Sequence, residues 1–231
     1  MKKLITVLTS IMLMSTAAFA GSFQIGTKGS LAFLEATGTE TTTAGAVTGG
    51  AANTNTASVN NDVALPSLYA EYSLDSSLWG TEGNEITLGA QLTLGDADVS
   101  DKLSQRSETA EDADGNGSTG ALTYKAQASV ENLTNYYIEV PLVSSLYAKI
   151  GFSQLDVITQ ESTNHHGSYG NDTLDGTQYG IGFKGLSGNL AWKVSYETTD
   201  WDQLALTSTT SNKITANLDV DELALSLGYR F

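Results

Sequence analysis

Two short stretches of this 231-residue sequence hold side chains dense enough in ligands or nucleophiles to suggest chemistry. Asp112-Ala-Asp114-Gly-Asn116-Gly117 fits the opening half of a calcium loop, D-x-[DN]-x-[DN]-G, in which alternate oxygen ligands converge on one ion. The twelfth position of such a loop calls for a bidentate Glu, and Thr123 stands there. Without its strongest ligand, and with Glu108 and Glu111 crowded beside Asp112 and Asp114, the stretch reads as a solvated acidic turn; weak divalent binding is the alternative. The second stretch, STNHHGSYGND, contains the only two histidines, His165 and His166, with Ser168 close behind and Asp172 and Asp175 further on. A hydroxyl, an imidazole and a carboxylate are the parts of an activated nucleophile. Almost any acidic loop offers as much, so a polar surface loop is the simpler reading. No cofactor, no dedicated metal and no catalytic residue are expected.

A third set of charges is spread along the chain: Lys28, Glu71, Lys125, Glu139, Lys149, Lys184, Lys193, Glu197 and Arg230. Each falls on the polar face of a segment that alternates apolar and polar residues, the mark of a half-buried strand. No stretch after residue 20 has a helical period, so the fold is expected to be all-β. Phe23, Ile25, Leu31 and Phe33 oppose Gln24, Lys28 and Ser30, and Leu68, Ala70, Tyr72 and Leu74 oppose Tyr69, Glu71 and Ser73. Ile86 to Leu94 alternates most cleanly. From Leu122 to Leu142, Tyr124, Ala126, Ala128, Val130, Tyr136, Ile138 and Val140 are assigned to one face, with Lys125, Glu131 and Glu139 opposite. Leu146 to Phe152, Tyr179 to Phe183, Leu190 to Tyr196 and Leu223 to Phe231 repeat the pattern, which gives eight strands, an even number as in bacterial outer-membrane barrels.

Residues 1–20 read as a secretory signal peptide: Lys2 and Lys3, an apolar run from Leu4 to Met14, then Ala18-Phe19-Ala20 as the cleavage site. The apolar run is too short to span a bilayer as a helix. The mature domain is then 21–231. It contains no Cys, so disulfides do not hold it together in an oxidising compartment. The formal charge of −15 argues against nucleic acid as a partner, because phosphate backbones repel such a chain.

The connections alternate in length. Thr37 to Asn61, Gly95 to Gly120, Asp156 to Gly176 and Asp200 to about Asp221 are long and polar; Asp75 to Asn84, Val143 to Ser145 and Gly185 to Asn189 are short. An up-and-down meander places all long loops at one end, the asymmetry of outer-membrane barrels. The first long loop, rich in Thr, Ala, Gly and Asn, is expected to stay loosely ordered. Phe23, Tyr72, Phe183, Trp192, Tyr229 and Phe231 gather on the apolar face near the short-turn end, as a bilayer interface selects. The expectation is an eight-stranded antiparallel up-and-down transmembrane β-barrel with long extracellular loops. Its polar face, turned inward, fills a lumen only wide enough for side chains.

The ending LSLGYRF, with Phe last and apolar residues at alternate positions before it, resembles bacterial outer-membrane barrels of the small OmpA/OmpX type, often labelled porin-like. That resemblance implies an assembly signal at Leu225, Leu227, Tyr229 and Phe231, read by the barrel-assembly machinery. It also implies a place in the cell outer membrane among lipid and lipopolysaccharide, as a monomer. His166-Gly-Ser168 is similar to the H-x-S spacing of barrel lipid A deacylases, a resemblance three residues long. The function expected is a structural or surface-interaction role and not an enzyme, with a narrow ion or solute channel as the alternative and a lipid A-modifying hydrolase as the remote one.

Overall fold

The computed structural model describes residues 21–42, 53–74, 80–99, 104–111, 118–162, 168–209 and 211–231, with side chains at 42, 53, 80, 81, 104–111, 118–126, 161 and 162 excepted. The segment 1–20 lies outside the described residues. Eight strands form a ring: β1 (Gly21–Thr42), β2 (Asn53–Leu74), β3 (Thr87–Thr93), β4 (Ser118–Val143), β5 (Leu146–Ser162), β6 (Asp172–Ser187), β7 (Leu190–Trp201) and β8 (Lys213–Arg230). Every neighbouring pair is antiparallel, and the ring closes where β8 returns to β1, from Gln24 opposite Arg230 up to Thr41 opposite Lys213. Closure leaves no sheet edge in the lower wall, the condition for a strand wall to stand in lipid.

The strand pattern keeps its phase but changes its chemistry along the way. In the lower part of β8, Leu223, Leu225, Leu227, Tyr229 and Phe231 are exposed while Ala224, Ser226 and Gly228 are buried. Higher up, Leu218 and Val220 are the buried ones and Asp219 is exposed. β1 does the same: Ile25, Leu31 and Phe33 face out opposite Lys28 and Ser30, then Ala32 and Leu34 are buried while Glu35 is exposed. A lower wall that is greasy outside and polar inside therefore gives way to an upper wall that is polar outside and greasy inside. The upper interior is an apolar core of Ala32, Leu34, Leu155, Val157, Leu174, Leu204, Leu206, Leu218 and Val220. Burying each Leu or Val contributes about 1.5–3 kcal/mol, the term that holds a water-surrounded barrel together. Tyr169 packs on this core from above, and its hydroxyl donates to Glu40 Oε1 at 3.1 Å.

The long connections are shorter than the sequence suggests, because the upper wall uses their flanks as strand. The expected first loop is paired from Thr37 opposite Ser58 to Thr42 opposite Asn53. Its threonines are β-branched and bond across the ladder: Thr37 Oγ1 lies 3.1 Å from Ser58 Oγ and Thr39 Oγ1 3.2 Å from Thr56 Oγ1. The loose order expected there is thus corrected for the paired flanks, and 43–52 lie outside the described residues. Leu204–Thr207 pairs with β8, and Ala97–Asp98 and Ser104–Glu111 pair with β4, in the stretches read as the fourth and second long loops.

The single face assigned to residues 122–142 is also corrected. A bulge between Glu131 and Thr134, with Asn132 at φ 55°, inserts one residue and reverses the phase. Ala128 and Val130 pack against the inner core, whereas Tyr136 beyond the bulge faces outward. At the other end, Ser144 and Gly188 take positive φ in the tight turns after β4 and β6.

Candidate functional site: the charged lumen

Inward positions of the lower wall carry charge. Lys28 Nζ donates to Glu197 Oε2 at 2.8 Å and pairs with Glu222 at 2.9 Å, and Lys149 reaches the same Glu197 oxygen at 2.9 Å. Lys184 meets Glu139 Oε2 at 2.9 Å, while Lys193 bridges Glu139 Oε1 at 2.7 Å and Glu71. Arg230 Nη2 donates to Glu85 Oε1 at 2.9 Å. Lys28, Lys149, Lys184, Lys193 and Arg230 thereby balance Glu71, Glu85, Glu139, Glu197 and Glu222, so the network is formally neutral and the negative surplus of the chain lies elsewhere. Isolated charges could not be held here, because burial away from water is tolerated only with close partners.

Three tyrosines complete the filling. Tyr137 OH donates to Glu71 Oε1 at 2.6 Å, Gln24 Nε2 donates to Tyr69 OH at 2.8 Å, and Lys149 lies 4.0 Å from the Tyr137 ring centroid, within cation–π range. These rings lie against inward glycines of neighbouring strands. A Cβ added at Gly89 would meet Tyr137 at 2.3 Å, at Gly26 would meet Tyr69 at 2.6 Å, and at Gly182 would meet the Tyr147 hydroxyl at 2.8 Å. Glycine at these places lets a large ring cross the lumen.

Both ends of the charged layer are stopped. Below, the turn from Gly80 to Glu85 folds under the ring: Asn84 Nδ2 donates to the carbonyls of Ser144 and Leu146, and Lys184 Nζ donates to the Glu85 carbonyl at 2.9 Å. Above, Asn135, Ser153 and Gln178 form a buried neutral polar layer beneath the leucine core. The arrangement can hold a formally neutral interior filled by side chains.

Of the residues expected in the lumen network, Lys28, Glu71, Glu139, Lys149, Lys184, Lys193, Glu197 and Arg230 stand in it. Lys125 is in β4, but its side chain lies outside the described residues. The β4 bulge separates it from Glu139, so alternation counted through that bulge does not assign its face. Glu85 and Glu222 were missed. Both share the parity of lumen residues, Glu85 with Thr87 and Gln91, Glu222 with Ser226 and Arg230, but Glu222 sits beside Asp219 and Asp221, where it reads as loop acid. Asp112 to Gly117, His165 and His166 lie outside the described residues. Ser168 is exposed, its N–H donating to Thr209 Oγ1 at 3.2 Å, and Asp175 Oδ1 accepts from Gln154 Nε2 at 2.9 Å. Among the described residues, no three His, Asp or Glu side chains are grouped to hold a metal.

On the outside, Leu225, Leu227 and Tyr229 are exposed in a row, and Phe231 lies 5.0 Å from Tyr229 and 6.2 Å from Phe23 between ring centroids. Besides this lower aromatic edge there is an upper one that alternation along single strands does not reveal. Phe33, Tyr136, Phe152, Tyr179 and Tyr196 each occupy the last apolar outward position of their strand before the polarity changes. Nine residues, Leu223 to Phe231, at about 3.3 Å each and tilted about 40°, span roughly 20 Å along the barrel axis. That height is close to the ~25 Å apolar band of outer-membrane barrels.

No family model and no curated protein matches this chain. Its fold is similar to that of solved structures at low identity. Neisserial surface protein A aligns with a TM-score of 0.39 and 10% identity over 90% of this chain and 97% of the other. The attachment invasion locus protein Ail of Yersinia pestis, in complex with the heparin analogue sucrose octasulfate, aligns at 0.39 and 12% over 88% and 99%. The outer membrane protease OmpT from Escherichia coli aligns at 0.47 and 10% over 94% and 99%. The barrel assignment itself rests on the closed ladder of this chain.

Proposed function

We propose that this chain is an integral outer-membrane β-barrel with a structural or surface-interaction role, delivered by the signal peptide at 1–20, and that it is neither an enzyme nor a conducting pore. The reading rests above all on one observation: along β1, β5, β6 and β8 outward residues change from apolar to polar partway up the wall while inward residues change the opposite way. A lower wall of that kind is solvated by lipid and an upper wall by water. The lower edge, lined by Phe23, Tyr72, Tyr229 and Phe231, is the side at which barrel-assembly machinery would read Leu225, Leu227, Tyr229 and Phe231. Exposed carboxylates at Glu35, Asp62, Asp175, Asp200, Asp202 and Asp219 clothe the upper wall, which suits a partner-facing platform beside lipopolysaccharide and repels nucleic acid. The balanced charges, the turn beneath them and the leucine core above them disfavour the channel reading.

Planar-bilayer recording tests the non-conducting part. The purified protein should give no steady unitary conductance, and replacing Lys193 and Glu71 together by Ala should not open a selective pathway, because the upper core remains. Discrete, ion-selective steps from the unaltered protein would transfer the function to the channel class. Heat-modifiable mobility after membrane fractionation tests the barrel part, and a soluble fold would fail it.

A further inference from the structure

Above Pro66 the wall opens. β2 pairs with β3 only from Ser67 to Ser73, and the wall beyond β3, Ala97–Asp98 and Ser104–Glu111, pairs with β4 instead. The Leu94 N–H donates to the Pro66 carbonyl and the Leu74 N–H to the Ile86 carbonyl, so even-numbered residues of β2 turn their backbone groups away from β1. By the same alternation Ser58, Asn60, Asp62 and Ala64 direct N–H and C=O to this side, where no strand pairs with them among the described residues. Asn61 Nδ2, donating to the Asp98 carbonyl at 2.8 Å, spans the opening with a side chain instead of a ladder. Just inside lie Val63 and Leu65, only partly buried against the leucine core, and on the outer side Asp62, Asp96 and Asp98 are exposed.

We propose that this edge is a docking site for an extended segment of another protein that alternates basic and apolar residues. The proposal rests on the surface-interaction reading and names the kind of partner. An unpaired strand edge outside the lipid zone is a template for one more strand, whose main chain supplies affinity and whose alternate side chains supply selectivity. Apolar side chains of the added strand cover Val63 and Leu65. Basic ones lie beside the exposed carboxylates of Asp62, Asp96 and Asp98, in a chain of formal charge −15.

The test uses the full barrel in detergent micelles and the labelled peptide Lys-Val-Lys-Val-Lys-Val-Lys, read by fluorescence anisotropy. Saturable binding is expected, weakened at least tenfold by N-methylation of alternate peptide amides and abolished when Glu replaces Lys. Asn60→Pro removes an edge N–H while sparing the bonds to β1, and it should weaken binding at least tenfold with heat-modifiable mobility unchanged. Should that variant fail to insert, the N-methylated peptide on the unaltered protein decides. No saturable binding, or binding indifferent to N-methylation, overturns the proposal, as does slow hydrogen exchange of the Asn60 and Asp62 amides in the free protein. Failure of the unaltered protein to show heat-modifiable mobility would count against the barrel reading instead.

Discussion

Lys193→Met is the most informative single change in the lumen. Lys193 is buried, holds Glu71 and Glu139 together, and has its Nζ 2.7 Å from Glu139 Oε1. At that distance the Coulomb attraction in an effective dielectric of about 20 is on the order of 6 kcal/mol for one contact. Much of it offsets the cost of taking both charges out of water, so the pair adds little net stability over a matched apolar pair. Removing only the cation is different. Glu139 keeps Lys184 at 2.9 Å, but Glu71 is left with the hydroxyl of Tyr137 and the amide of Gln24 as neutral donors and no cation. Breaking a buried pair this way costs about 3–5 kcal/mol. With an unfolding slope of about 2 kcal/mol per molar urea, the midpoint should fall by roughly 1.5–2.5 M. Urea unfolding of vesicle-inserted protein, followed by tryptophan fluorescence, measures it. The double variant Lys193→Met with Glu71→Gln restores neutrality and should regain most of the loss. A single variant within about 1 kcal/mol of the unaltered protein, or a double variant worse than the single, would refute the idea that charge balance stabilises the interior.

Packing sets three further expectations. Gly89→Ala, whose new Cβ would meet the Tyr137 ring at 2.3 Å, should cost about 1–3 kcal/mol in the same assay, whereas Gly29→Ala, with nothing within 4 Å, should be close to neutral. Leu218→Ala opens a hole in the upper core and should cost about 2–5 kcal/mol; Leu225→Ala, on the exposed outer face, should cost clearly less. In single-tryptophan variants, brominated lipids should quench Trp192, which faces outward from the lower wall, and leave Trp201, which packs against the upper core, largely unquenched. Equal quenching of the two would place them in the same solvent.

Strand number, ring closure and the lower lumen were legible because alternation is a local signal and a two-residue period assigns each side chain a face. Lys28, Lys149 and Lys193 stand out in that pattern because a lysine on the polar side of a strand must reach either water or a carboxylate. The upper core was not legible for the same reason: Leu34, Leu155 and Leu218 keep the lumen phase, yet they look like breaks in a polar face unless the surrounding solvent is known to change. Glu222 and Glu85 were hidden by neighbouring acids and by a turn whose inward fold depends on Asn84 reaching across to Ser144 and Leu146. The β4 phase was lost at Asn132, since a bulge adds one residue without changing composition. The opening beside β2 has no sequence mark except Pro66, which withholds one donor at its lower end.

The change of solvent along the wall can be read directly by nitroxide labels on cysteines substituted one at a time for Asn217, Asp219, Asp221, Leu223, Leu225 and Leu227, comparing accessibility to oxygen and to a water-soluble nickel chelate. Labels at 217, 219 and 221 should favour the nickel reagent and those at 223, 225 and 227 should favour oxygen, with the crossover between Asp221 and Leu223. Six labels with one preference throughout, or oxygen preference at Asn217 and Asp219, would contradict a barrel that stands half in lipid and half in water.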